Sequence, residues 1–147
     1  MARQDFRFFH PFRVRYSEID GQGVVFNAHY LTYFDTTITE FFRHLGFDYQ
    51  GYVRETGEDF HLVKSLVLYE KPILFDAEIE VGCRVSKIGR TSITFELAIF
   101  AKGEDTRYCT GEIVWVNTHQ TTHKTAPVSD DIRNMFAAFE GSSRADA

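Results

Sequence analysis

Residues 16–42 read YSEIDGQGVVFNAHYLTYFDTTITEFF. Two carboxylates, Glu18 and Asp20, and two glycines, Gly21 and Gly23, stand just before a long apolar run. A carboxylate beside apolar surface is costly unless it is paired or used, so this placement needs a reason. From Ala28 onward, Leu31, Phe34, Ile38, Phe41, Phe42 and Leu45 recur at steps of three and four, and Thr32, Asp35, Thr36, Thr39 and Arg43 mark a more polar side. That period predicts a helix over 28–45, about five turns long. Asn27 suits its N-cap and Gly46 its C′ stop. Tyr30 and Tyr33 widen the apolar surface, so the helix is expected to be embraced by protein over most of its girth.

Upstream, FRVRYS (12–17) sets Phe12, Val14 and Tyr16 against Arg13, Arg15 and Ser17. This alternation predicts a half-buried strand that an Asp-Gly turn then breaks. Downstream, DYQGYVRETGED (48–59) holds a short helical turn or two. Four strand candidates follow: HLVKSLVLYE (61–70), DAEIEVGCRVSKI (76–88), TSITFELAIFA (91–101) and RYCTGEIVWVN (107–117). In the second, Ala77, Ile79, Val81, Cys83 and Val85 share one face; in the third, Ile93, Phe95, Leu97 and Ile99 do. Their other faces are expected to meet water. The connections are short, so neighbours are expected to pair antiparallel as a meander. SDDIRNMFAAFE (129–140) reads as a short capped helix, and residues 141–147 as a disordered tail.

One sheet must therefore bury one long apolar helix. The economical solution is an α+β fold in a single domain, residues 1–140: an antiparallel β-sheet of five or six strands wrapped around the helix. An edge strand left open invites a second copy, and a symmetric dimer would close it.

The chain has 147 residues, 15 Phe and 7 Tyr, enough for a sizeable core. Its net charge of −5 and scattered basic residues offer no field for nucleic acid. No apolar run reaches the length of a membrane span, and the first residues lack the apolar core of a signal peptide. Cys83 and Cys109 read as buried free thiols of a reducing compartment. Together these predict a soluble cytoplasmic protein without nucleic-acid or membrane partners.

The run RYSEIDGQGVVFNAHYLTYFD resembles the opening motif of the hotdog-fold acyl-CoA thioesterases, in the branch of 4-hydroxybenzoyl-CoA thioesterase and the YbgC-like proteins. Tyr16, Asp20, Gly23, Val24, Val25, Phe26 and Tyr30 carry the match, and SKIGRTSITFELAIF (86–100) is similar to the family's later strand-turn-strand. The resemblance implies the hotdog fold and hydrolysis of an acyl-CoA thioester without metal or organic cofactor. It also implies a homodimer with a continuous sheet, often paired into a tetramer, with active sites at the subunit interface. It assigns Asp20 as the catalytic carboxylate and the Asn27 backbone N–H as the group that polarises the thioester carbonyl. Gly23, Phe26 and Tyr30 come with the motif as substrate-binding positions, and Arg90 matches a basic position that contacts the CoA phosphates. The chain departs from its relatives at Phe26-Asn27, where they have Tyr-His or Trp-Tyr, so a side-chain histidine is missing there.

The chemistry of thioester hydrolysis fits the same stretch. A carboxylate serves as general base or nucleophile, and unpaired N–H groups at a helix start stabilise an oxyanion. Asn27, Ala28 and His29 would supply those donors, and the glycines would let the loop fold over the helix end with Asp20 near its positive pole. Glu18 reads as the structural partner of Arg13 or Arg15. Asp20 also reads as a plain turn residue before Gly21, and Asp35 on the polar helix side is the reserve carboxylate. His119 and His123 have a zinc-like spacing but leave a strand, so they read as exposed histidines. The alternative function is a non-catalytic acyl-CoA or acyl-ligand binding module on the same fold.

Overall fold

The structure, a computed structural model, describes residues 1–141. The tail expected at 141–147 lies, from residue 142 on, outside the described residues. In chain order the elements are β1 (Phe8–Arg13), α1 (Ala28–His44), α2 (Tyr49–Thr56), β2 (Glu58–Tyr69), β3 (Glu78–Ile88), β4 (Ser92–Ala101), β5 (Arg107–His119) and α3 (Asp130–Glu140). The five strands form one sheet in the order β1-β3-β4-β5-β2. β1 pairs antiparallel with β3, Phe8 opposite Cys83 and Arg13 opposite Glu78. Tight turns join β3 to β4 and β4 to β5, closed by Gly89 N–H to Ser92 O (2.9 Å) and Ala101 N–H to Thr106 O (3.0 Å). Between β5 and β2, Gln120 N–H reaches Gly57 O and Glu70 N–H reaches Tyr108 O. One chain ascends as the other descends, so this pair is also antiparallel.

Two expectations change here. The last four strands are not a simple meander, because β2 pairs with β5 and not with β3. The connection between β2 and β3 is no hairpin. Pro72 has no N–H for a ladder, Ile73 O accepts from Val25 N–H, and Asp76 N–H donates to Val14 O. The segment's backbone bonds go to the loop before α1. The first strand lies upstream of the expected 12–17, at Phe8–Arg13, sharing only Phe12 and Arg13 with it, and Tyr16–Glu18 is a single 3₁₀ turn. Val14 is buried, but Tyr16 is 77% exposed. The Glu18 carboxylate bonds the Arg15 N–H (2.8 Å), which closes the turn and draws the backbone out of the strand. Pro11 is tolerated in β1 because β1 is an edge strand.

The chain forms two compact units. The first holds residues 1–41, 66–84 and 97–111. Here Phe8 stacks on Phe41 (5.1 Å) and Phe12 lies against Tyr33 (4.9 Å). Ile79, Val81, Cys83, Leu97 and Ile99 are fully buried, as their strand faces predict. A Cβ on Gly111 would sit 2.3 Å from the Phe34 ring, so only glycine lets α1 lie this close to β5. The opposite face of the sheet is not left to water as expected. Phe6, Ala98 and Phe100 form a second buried cluster with Met1 and Phe9 against it, and Gly82 leaves room for Phe6, whose ring a Cβ would meet at 2.7 Å. The guanidinium of Arg3 caps Phe9 (4.7 Å) and that of Arg84 caps Phe6 (5.1 Å).

The second unit holds residues 42–65, 85–96 and 112 onward. Phe42 is its centre, with Trp115 stacked at 6.0 Å and Phe136 and Phe95 edge-on at 5.6 and 6.3 Å. Each such pair adds about 0.5–1.5 kcal/mol beyond burial. α1 ends on Gly46 (φ 75°), with Gly46 N–H to Arg43 O and Phe47 N–H to Phe42 O. That is a Schellman stop, and the Phe42–Phe47 ring contact (5.4 Å) completes it. Asp48 caps α2 and Ser129 caps α3. Asn117, fully buried, donates to Glu58 (2.7 Å) and accepts from Tyr52 (2.9 Å).

α1 itself is not enclosed over most of its girth. Ala28, Leu31, Thr32, Asp35, Thr39 and Arg43 form an exposed stripe, and Leu31, expected on the buried side, is 39% exposed. Among the described residues no helix is long and apolar enough to cross a membrane.

Candidate functional site

The opening stretch folds as a tight hairpin leading into α1. Phe26 N–H bonds Glu18 O (2.9 Å), Ile19 bridges Val25 antiparallel, and Asp20 N–H bonds Val24 O (2.9 Å). The pairing therefore continues past Ile19 to Asp20, further than the glycines suggest. Gly21 and Gln22 make the tip, and Gly23, at φ 76°, closes it with its N–H on Asp20 O (3.0 Å). A second segment holds the hairpin from outside: Val24 bridges Leu74, and Phe75 N–H reaches Gly23 O.

The two carboxylates are treated in opposite ways. Glu18 is buried and its bonding is complete. One oxygen accepts from the Tyr33 hydroxyl (2.7 Å) and the Arg15 N–H, the other from the Arg15 guanidinium (3.0 and 3.1 Å). Burial alone would raise its pKa. The Arg15 N–H, the Tyr33 hydroxyl and the Arg15 guanidinium outweigh that and hold it below the usual glutamate value. Burial and the Glu18 contact push the Tyr33 hydroxyl well up. Glu18 is thus the partner of Arg15, as one of the two expected arginines.

Asp20 is half-buried at the hairpin tip. Its Oδ1 accepts the Gln22 N–H (2.8 Å). Among the described residues, its Oδ2 has no partner and no cation pairs with it.

At the start of α1, His29 N–H bonds Phe26 O (2.9 Å) and Tyr30 N–H bonds Asn27 O (3.3 Å). His29 therefore offers no free donor, contrary to expectation, because the first turn is tightened onto Phe26. The N–H groups of Asn27 and Ala28 are without a partner among the described residues, and the Asn27 side chain makes no capping bond there. Val25 and Phe26 stand between Val24, which pairs with Asp20, and Asn27.

Beside this helix start lies a cleft of about 290 Å³. Val24, Val25 and Pro72 give it apolar walls; Asn27, Tyr30, Tyr69, Glu70 and Lys71 give it polar edges. Tyr30 meets Tyr69 edge-on at 4.8 Å. Cys109 is not a nucleophile candidate: burial pushes its thiol up to about 12. Asn27 and Tyr30 thus share a cleft, and Asp20 and Gly23 share the hairpin tip. Phe26 is 48% exposed beside the helix start, its ring edge-on to His29 at 6.3 Å. Arg90 is exposed in the turn between β3 and β4, in the second unit. Lys64 is tied to Glu112 (2.6 Å), and His119 accepts two backbone N–H groups of its own turn. That the Tyr30 hydroxyl makes no hydrogen bond among the described residues, and that Tyr33 bonds Glu18, were not foreseen. Only the tyrosine spacing on the helix hinted at them.

A family model described as the thioesterase-like superfamily matches residues 14–136. The chain belongs to that superfamily. The enzyme class the family carries is thioester hydrolysis. The acyl-CoA thioesterase YbgC of Haemophilus influenzae is 36% identical over 87 residues, and the acyl-CoA thioester hydrolase YbgC of Escherichia coli 32% over 85 residues. Each alignment covers 58% of this chain and 63% of the relative. The solved PA5185 protein of Pseudomonas aeruginosa superposes with a TM-score of 0.83 at 28% identity, covering 96% of both chains. The fold is the hotdog fold of these thioesterases, an α+β architecture.

The Glu18 network sets a pH dependence. A carboxyl whose pKa is lower folded than unfolded adds stability above its unfolded pKa and loses it as the pH falls through the folded one. Glu18→Gln is expected to lower stability at pH 7 by about 1–3 kcal/mol, read by urea denaturation. The gap to the unsubstituted chain should shrink as the pH falls through the unfolded glutamate value, about 4.3, toward the lower folded one. A gap of the same size at pH 3.5 would show that charge plays no part.

Proposed function

We propose that the chain hydrolyses an acyl-CoA thioester to the free acid and CoA, with Asp20 as general base or nucleophile and the Asn27 and Ala28 N–H groups as the oxyanion hole. The observation that carries this reading is that, among the described residues, one short stretch holds a carboxylate with an uncommitted oxygen and a helix start with two uncommitted N–H groups. The thioester carbonyl oxygen accepts from those N–H groups, so charge that builds on it meets donors and the positive helix end. As base, Asp20 takes a proton from the attacking water; the C–S bond breaks and CoA leaves as thiolate to be protonated. As nucleophile, Asp20 forms an anhydride with the acyl carbon, expels CoA thiolate and is freed by water. A base contributes roughly 10²–10⁴-fold and one oxyanion donor about 3–4 kcal/mol. The YbgC relatives, named for acyl-CoA thioester hydrolysis, support the substrate class.

In this reading residues 1–140 act as one catalytic domain. Gly23 keeps the hairpin tip thin, and Phe26 lends an apolar wall beside the helix start. Arg90 binds a CoA phosphate from its exposed turn. The chain works as a homodimer, alone or paired into a tetramer, with a second copy along β2. That strand ends the sheet and exposes Leu62, Val63, Leu66, Leu68 and Tyr69. Tyr69 and Glu70 also edge the cleft, so such a partner would stand beside the site. Two buried thiols without a disulfide suit the cytoplasm.

Free-thiol release from a panel of acyl-CoAs tests the activity. Asp20→Asn keeps the hairpin turn and is expected to cut kcat by roughly 10²-fold or more. A near-normal rate would move the role to Asp35. Arg90→Ala is expected to raise KM for acyl-CoA and to spare turnover of short pantetheine thioesters. Equal losses on both would mark Arg90 as structural. Sedimentation at micromolar concentration should show a dimer or larger, and a monomer alone would exclude the β2 pairing.

A further inference from the structure

The tyrosines that line the interior differ in one respect. Tyr33 donates its hydroxyl to Glu18 (2.7 Å), Tyr49 to Asp59 (2.5 Å), and Tyr52 to Asn117 (2.9 Å). Tyr30 is only 4% exposed, yet its hydroxyl makes no hydrogen bond among the described residues. No fully buried side-chain polar atom there lacks a partner, so solvent must reach this hydroxyl. Tyr30 lines the cleft beside the helix start, which supplies that access.

The other polar groups of the cleft are accounted for. Glu70 is held by the Arg107 guanidinium (2.6 and 2.7 Å). Tyr69 and Lys71 are exposed and hydrated without a ligand. Among the cleft's groups, the Tyr30 hydroxyl alone combines near-complete burial of its residue with a bond unfilled by any described residue. Burial, with smaller contributions from Cys109 and Tyr69, pushes that hydroxyl up to about 12, so it is a neutral donor at physiological pH.

We propose that the Tyr30 hydroxyl selects the acyl group, and that this group is compact and carries an oxygen able to hydrogen-bond. The inference rests on the thioester-hydrolase reading above. With the carbonyl oxygen at the Asn27 and Ala28 N–H groups, the bulky, charged CoA moiety must stay in solvent. The acyl group is then the part that enters the cleft of about 290 Å³. Tyr30 stands one turn along α1 from Asn27, about 4.5 Å of rise. Val24, Val25, Pro72 and the Tyr69 ring contact the apolar body of the acyl group. An acyl oxygen that meets the Tyr30 hydroxyl completes its bonding. A methyl group in the same place displaces water and leaves the hydroxyl unpaired, which is what makes such a site discriminate.

The test compares acyl-CoAs of matched shape: 3-hydroxybutyryl against isovaleryl, and 4-hydroxybenzoyl against 4-methylbenzoyl. The readout is the ratio of kcat/KM within each pair, which a general loss of activity does not move. The unsubstituted chain is expected to favour the oxygen-bearing member of at least one pair by about tenfold or more. Tyr30→Phe removes only the hydroxyl and should bring that ratio close to one. No preference in either pair, or a preference that survives Tyr30→Phe, overturns the proposal. If no acyl-CoA releases thiol, the thioesterase reading fails separately. The same ratios are then read from calorimetric Kd values, where the same two results decide.

Discussion

The buried Glu18 carboxylate fastens the loop that carries Asp20 to α1. It takes a hydroxyl from Tyr33 in the second turn of α1 and both the N–H and the guanidinium of Arg15 from the loop. A buried carboxylate with one bond missing would be a liability of a few kcal/mol. With all its bonds made it holds loop and helix at a set distance. The hairpin that carries Asp20 leaves from this anchor, and Phe26 returns to the Glu18 backbone just before α1 begins. That explains why two carboxylates crowd the helix start. One carries structure, and the other is left with an oxygen to use.

The same division runs through the rest of the first unit. Glu70 is closed by Arg107, Glu80 by Arg3 and Gly103, and Tyr33 by Glu18. These groups have finished bonding, and they hold the fold. Among the described residues, Asp20 Oδ2, the Asn27 and Ala28 N–H groups and the Tyr30 hydroxyl have not. The proposed chemistry and the proposed selectivity both rest on unfinished groups, which a ligand can complete without breaking a bond inside the protein.

Much of the framework was legible because its signals are local. The 3.6-residue period placed α1 at 28–45, against Ala28–His44 observed, and Gly46 stops it in the left-handed conformation. Alternation chose the buried faces of β3 and β4, where Ile79, Val81, Cys83, Ile93, Phe95 and Leu97 are all fully buried. The motif around Asp20 and Gly23 correctly marked a turn, and Glu18 found one of its two expected arginines. Local pattern failed wherever a distant partner intervened. Tyr16 left the strand because Glu18 captured the Arg15 N–H. The far face of the sheet was covered because Phe6 and Phe100 meet across it. β2 went to the other edge because residues 72–76 bond the loop before α1 instead of turning back.

The sequence by itself determined α1, α3, the last four strands, one buried face each of β3 and β4, the membership of a thioesterase family and the residues worth examining. Each of these follows from short-range periodicity, turn chemistry or a contiguous motif. Only the tertiary structure decided which polar groups are committed. Which of Tyr30 and Tyr33 has its hydroxyl bonded among the described residues depends on Glu18, which reaches Tyr33 and not Tyr30. Whether His29 or Ala28 keeps a free N–H depends on how the first helical turn closes onto Phe26. A hydrogen bond is directional and reaches about 3 Å, so its partner is set by packing that no local pattern encodes.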